Sequence, residues 1–178
     1  MILLISTCKE KLHDLEFVEP VKEIIIKEGK DLFERNYKEL GEKDIKKADK
    51  IIICGTSLQD YNFLKNIKKF YWLKNIKKPV LGICAGMQII GIIFGGEVKK
   101  KTEIGYFNED FKKELLGLKG TQEVWHLHNN YCSFHRAFES FCDSQIPQAV
   151  KHKEKEIYGV LFHPEVRNKE LIKNFLGL

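Results

Sequence analysis

Val80-Leu81-Gly82-Ile83-Cys84-Ala85-Gly86-Met87 decides the fold: an apolar strand-like stretch after Pro79 runs directly into Met87 to Phe94, whose apolar content is helical and which ends at Gly95-Gly96. Strand meets helix at Cys84. The pattern Gly-x-Cys-x-Gly at such a junction is the cysteine form of a nucleophile elbow. A side chain on so sharp a turn sits in a strained backbone conformation, and the residues two before and two after it come close enough that side chains would clash. Gly82 and Gly86 remove the clash. The helix beginning at Ala85 then directs its N–H groups and its dipole at the sulfur, favouring thiolate. Taken alone, the same pattern also fits a small buried cysteine with glycines that serve tight packing.

Working outward, Ile2 to Ile5 and Ile51-Ile52-Ile53-Cys54 are continuous apolar runs, the signature of strands buried on both faces of a parallel sheet. Between them, Val21, Ile24 and Ile25 recur at helical spacing from Pro20 to Gly29, a strand is placed over Leu32 to Tyr37, and after the Gly55-Thr56-Ser57 turn a helix is expected over Tyr61 to Lys74. This alternation implies βαβ units, hence an α/β fold with a mostly parallel sheet and helices on both faces. The second half reads as strands near Ile104 to Phe107, Val124 to His128, Ala149 to Lys151 and Ile157 to Phe162, with a closing helix over Lys169 to Phe175. No repeat or linker divides the chain, so residues 1–178 are expected to form one domain.

Composition narrows the function classes. The 178 residues are 43% hydrophobic and 31% charged, as in globular proteins, and disorder is not indicated. The opening Met1 to Ser6 turns polar at Cys8-Lys9-Glu10, and no apolar run approaches a membrane span, so a cytoplasmic protein with no membrane partner is expected. The net charge of +5 comes from short, scattered lysine clusters such as Lys99-Lys100-Lys101, read as solvated faces and not as a nucleic-acid footprint. Five cysteines, an odd number without a Cys-x-x-Cys pair, argue against a disulfide framework and leave most as inert thiols.

A free thiol is only a few per cent ionised at neutral pH, so a cysteine nucleophile needs a base. His163 ends the strand-like run Gly159-Val160-Leu161-Phe162 and is followed by Pro164-Glu165. Strand ends of an open α/β sheet gather where ligands bind. Glu165, two residues on, is placed to accept from the imidazole and fix its tautomer, which gives a Cys84-His163-Glu165 triad. Donors for a tetrahedral oxyanion are expected from the Ala85 N–H and from the Gly55-Thr56 turn. Each histidine or glycine has a plainer reading as a capped strand end or a turn. His126 and His128 alternate on one strand face, with His135 as a conceivable third ligand. Without an acidic or cysteine ligand of clear spacing they are too few for a metal site, and no metal or cofactor is expected.

Gly82-Ile83-Cys84-Ala85-Gly86-Met87-Gln88 together with Tyr158-Gly159-Val160-Leu161-Phe162-His163-Pro164-Glu165 resembles the two signature segments of class I glutamine amidotransferases, in order and in separation. Weaker echoes at Ile51 to Ser57, Phe94-Gly95-Gly96, Glu103-Ile104-Gly105-Tyr106 and Val124-Trp125 through His128 extend the resemblance over nearly the whole chain. It implies a flavodoxin-like sheet and a glutaminase that forms a γ-glutamyl thioester on Cys84 and releases ammonia. It also implies that Gln88 contacts substrate and that His128, Asn129, Asn130 and Tyr131 line the glutamine pocket. Two positions depart from the family pattern. Gly55-Thr56-Ser57 stands where consecutive glycines and a proline are usual, and Leu161 where glutamine is common.

The sequence holds no Gly-x-x-x-x-Gly-Lys-Ser/Thr phosphate loop and no room for a synthetase domain, so the ammonia acceptor is expected on a separate ATP-dependent synthetase subunit. Within the family, Val124-Trp125 and Lys151 to Pro164 are most similar to stand-alone glutaminase subunits of GMP synthases. The alternatives are a γ-glutamyl hydrolase without ammonia transfer and a non-catalytic regulatory subunit that keeps the fold.

Overall fold

A computed structural model describes all residues, Met1–Leu178. In chain order it contains β1 (Ile2–Ser6), α1 (Asp14–Phe17), α2 (Glu19–Lys27), β2 (Leu32–Asn36), α3 (Glu42–Lys47), β3 (Lys50–Ile53), α4 (Asn62–Lys65), β4 (Val80–Ile83), α5 (Ala85–Ile93), β5 (Val98–Leu115), β6 (Leu118–Cys132), β7 (Phe138–Ser140), β8 (Ala149–His152), β9 (Ile157–Val160) and α6 (Lys169–Gly177). The apolar runs at Ile2, Ile51 and Val80 are parallel neighbours in a seven-stranded sheet of order β2-β1-β3-β4-β9-β8-β7. Only the β9-β8 and β8-β7 pairings are antiparallel.

Because successive strand residues face opposite sides, each run feeds two cores. Leu4, Ile52, Leu81 and Val160 join Val21 and Ile25 of α2 and Leu171 and Phe175 of α6 on one face. Leu3, Ile5, Ile53 and Val80 meet Phe63, Phe70 and Leu73, with Ile89, Ile90 and Ile93 of α5, on the other. Fully burying one such side chain contributes about 1.5–3 kcal/mol, which is why uninterrupted Ile/Leu/Val runs are stable only in the middle of this layered arrangement. No helix is long and apolar enough to cross a membrane.

Two of the expected elements take a different form, and α1, α3 and β7 are additions to those expected. The helix expected over Tyr61 to Lys74 is broken: α4 stops at Lys65, and Ile67–Asn75 continues as 3₁₀ turns. Asn66 explains the break, since its side chain donates to the Asn62 carbonyl at 3.0 Å and competes with the helical ladder. The larger difference is β5 and β6, an antiparallel hairpin of 18 and 15 residues that stands apart from the main sheet. It contains the two short strands expected at Ile104 and Val124. Its turn, Leu116-Gly117, has positive φ at both residues (48° and 86°), as a tight two-residue hairpin connection requires. The tip is held on α6, where Asn174 donates to the Leu116 carbonyl at 3.0 Å.

Candidate active site

Cys84 has φ 50° and ψ −102°, one of two non-glycine residues with positive φ. The strain has a visible support. A Cβ on Gly82 would lie 2.6 Å from the Gly86 backbone, and one on Gly86 would lie 2.2 Å from the Ile53 carbonyl oxygen, so neither position admits a side chain. The Cys84 N–H extends the sheet ladder by donating to Val160 at 2.8 Å, and α5 starts at the next residue.

His163 lies three residues beyond β9, the strand paired with β4. Its backbone N–H donates to the Trp125 carbonyl at 2.8 Å, which ties the sheet end to the hairpin. His163 is 1% exposed, and Phe17 packs on its ring with centroids 5.6 Å apart. Nδ1 lies 2.7 Å from Glu165 Oε1, and Nε2 has no hydrogen-bond partner. Gly55 brings this ring to the nucleophile: a Cβ there would stand 2.7 Å from His163 Cε1 and 3.4 Å from Cys84 Cβ, so both residues close on one point. Burial alone would push the imidazole down. The charges of Glu165 and then of Cys84 outweigh it and hold the His163 pKa well above the ordinary value, which favours the protonated ring.

The other four cysteines are buried free thiols. Burial pushes Cys8 up to about 11 and Cys132 and Cys142 to about 12, and raises Cys54 as well, which leaves them poor nucleophiles at neutral pH.

A small, narrow cleft lies over the thiol, with Thr56, Cys84, Ala85, Gln88, Asn129 and Asn130 in its walls. His128 also borders it, whereas Tyr131 does not and packs on the core beside α5. Gln88 donates to the Asn130 carbonyl at 3.1 Å, and Asn129 donates to the Leu58 carbonyl at 3.2 Å, so these two amides also brace the wall. The Cys84 thiol lies 3.7 Å from the Leu127 carbonyl.

Thr7 and Asp60 belong to the site although no sequence motif marks them. The Thr7 hydroxyl stands 3.0 Å from the carbonyl oxygens of both Cys54 and Gly55. In a trans peptide the N–H points opposite to the C=O, so fixing the Gly55 carbonyl toward Thr7 turns the Thr56 N–H the other way. Asp60 accepts from the Thr56 hydroxyl at 2.9 Å. The Gly55-Thr56-Ser57 turn, which lacks the usual glycines and proline, is therefore held by side chains. The available signal was position, because Thr7 directly follows β1 beside the end of β3.

Comparison with known proteins identifies a family for the chain. Residues 16–177 match the family model described as "Glutamine amidotransferase class-I". A subunit of the glutamine-hydrolysing GMP synthase from Saccharolobus solfataricus is 33% identical over 155 residues, covering 76% of this chain and 79% of that one. The glutamine-hydrolysing GMP synthase of Staphylococcus carnosus is 37% identical over 113 residues, 57% of this chain but 22% of the longer protein. Among crystal structures, a candidate GMP synthase subunit from Thermoplasma acidophilum superposes with a TM-score of 0.87 at 22% identity, covering 99% of this chain and 92% of the other. A glutamine amidotransferase from Thermotoga maritima gives 0.72 at 19% identity, with 99% and 81% covered. At those identities the superpositions establish a shared fold.

Proposed function

The chain belongs to the class I glutamine amidotransferase family, and from that membership we propose that Cys84, His163 and Glu165 hydrolyse glutamine and that the ammonia passes to a separate ATP-dependent synthetase making GMP. The observation that carries the reading is the His163 imidazole, held at Nδ1 by Glu165 at 2.7 Å with Nε2 unpartnered and the thiol beside it.

The Cys84 sulfur attacks the side-chain carbonyl carbon of glutamine, and the charge that develops on the carbonyl oxygen is met by the Ala85 N–H and the Thr56 N–H. The C–N bond breaks as the imidazolium gives its proton to the leaving nitrogen, so ammonia departs and a γ-glutamyl thioester remains. Neutral His163 then takes a proton from water, hydroxide adds to the thioester, and glutamate leaves as the thiolate and imidazolium are restored. Glu165 orients the ring and stabilises its charged form. Gln88, Asn129 and Asn130 hold the glutamine in the cleft. Similarity to the Saccharolobus protein, with most of both chains covered, supports the GMP-forming partner.

The test is glutamate formation from glutamine by the purified chain, with and without an ATP-dependent GMP-forming synthetase. We expect activity that rises with the partner and falls by about 10⁴-fold in Cys84→Ala. Glutamate release that is indifferent to Cys84→Ala would overturn the assignment of the nucleophile, and indifference to the synthetase would overturn the assignment of the partner.

A further inference from the structure

The hairpin brings together a second histidine–carboxylate cluster, to which the proton and bond changes of glutamine hydrolysis assign no step. Glu103 is the cross-strand partner of His128, and His126 lies opposite Gly105. Both imidazoles are buried, and Glu103 is nearly so.

Hydrogen bonding fixes which ring nitrogens carry protons. His128 Nδ1 lies 3.2 Å from the Lys101 carbonyl oxygen, an acceptor only, so Nδ1 is the protonated nitrogen. His126 Nε2 lies 3.3 Å from Glu109 Oε1, and Glu109 is fixed in turn by Ser144. That nitrogen is also a donor. The remaining nitrogens, His126 Nδ1 and His128 Nε2, then present lone pairs to each other at 3.2 Å. Glu103 Oε2 joins them, 3.1 Å from His128 Nε2 and 3.9 Å from His126 Nδ1. Three acceptors converging in a buried space repel one another unless a cation lies among them.

We propose that Glu103, His126 and His128 bind one divalent cation of the zinc class in a tetrahedral site. Ligands about 2.1 Å from a tetrahedral ion lie about 3.4 Å apart, and the three observed separations bracket that value. The outer contacts, a carboxylate on one histidine and a main-chain carbonyl on the other, are the partners that orient metal-bound imidazoles. Gln148 adds an independent sign. It is 1% exposed, its Nε2 donates to Glu103 Oε2 at 2.8 Å, and its Oε1 has no partner. Rotating the amide by half a turn brings that oxygen to the cluster as a fourth ligand. The ion ties β5 to β6 next to Leu127, whose carbonyl faces the Cys84 thiol.

Chelator-treated full-length protein titrated with Zn²⁺ by calorimetry, and with Co²⁺ by absorption, tests the site. We expect one equivalent bound with the strong visible bands of tetrahedral Co²⁺, and at least about tenfold weaker binding in Glu103→Gln and in His126→Gln. Binding should be unchanged in Cys84→Ala and in His135→Gln, because His135 is committed to the Gly95 carbonyl. Circular dichroism checks folding; Glu103→Gln preserves shape, so it decides alone if His126→Gln unfolds. Absence of binding, an undiminished affinity in Glu103→Gln, or a loss confined to Cys84→Ala overturns the proposal.

Discussion

His163 with Glu165 and His128 with Glu103 are two histidine–carboxylate pairs with buried imidazoles, yet they are prepared for opposite tasks. His163 faces one carboxylate and one thiol, and those charges raise its pKa well above normal. His128 is pushed down to about 3 by burial and then by the neighbouring His126. One ring is held as a cation that can give a proton to a leaving group, and the other as a neutral ligand. The difference lies in what the second nitrogen meets: a nucleophile in the first case, another lone pair in the second. Burial alone does not assign a role to a histidine; the partner at each nitrogen does.

Glu165→Gln breaks the first pair most directly. With the ring orienter replaced by an amide that can present the wrong tautomer, turnover should fall by about 10³-fold while glutamine binding changes little, read as kcat against KM in a glutamate assay. A comparable kcat in the variant would reduce Glu165 to a structural residue. Gly55→Ala attacks the same pair from below. Its Cβ would meet His163 Cε1 at 2.7 Å, and the enforced displacement should lower kcat by about 10²-fold with the fold retained by circular dichroism.

Glu109→Gln sharpens the other side of the comparison. It weakens the acceptor at the outer nitrogen of His126, and we expect Zn²⁺ affinity to fall by about 10-fold or more while glutamate formation stays within about threefold of the parent. Equal loss in both assays would mean that the two clusters work as one. The smallest effect concerns pH. Because the folded His163 pKa is raised, its contribution to stability is complete below the unfolded value of about 6.5 and is lost as pH rises through the folded value. Urea unfolding at a series of pH values should show the parent's advantage over Glu165→Gln shrinking toward alkaline pH. An advantage that grows with pH would reverse the assigned direction.

Both halves of the candidate catalytic arrangement were legible because each is local. The Gly82-to-Gly86 elbow is dictated by sterics within five residues, and Glu165 reaches His163 across a two-residue turn. The parallel sheet was legible for a related reason, since runs such as Ile51-Ile52-Ile53 have nowhere stable to go except between two helical layers. The long hairpin was only half visible, as its solvent-facing residues dilute the apolar pattern.

What the sequence by itself determined is therefore the layered α/β architecture and the candidates for nucleophile, base and orienter, all set by short-range sterics and hydrophobic periodicity. What only the tertiary structure decided is register and convergence. A regular hairpin closing at Leu115 and Leu118 would set Glu103 opposite Asn130, but the irregularity between Phe111 and Leu115 shifts the pairing by two residues and delivers Glu103 to His128. Thr7 likewise reaches Gly55 only because β1 and β3 are neighbours in the sheet. Such contacts depend on pairing energies summed over whole strands, and no short stretch of residues encodes them.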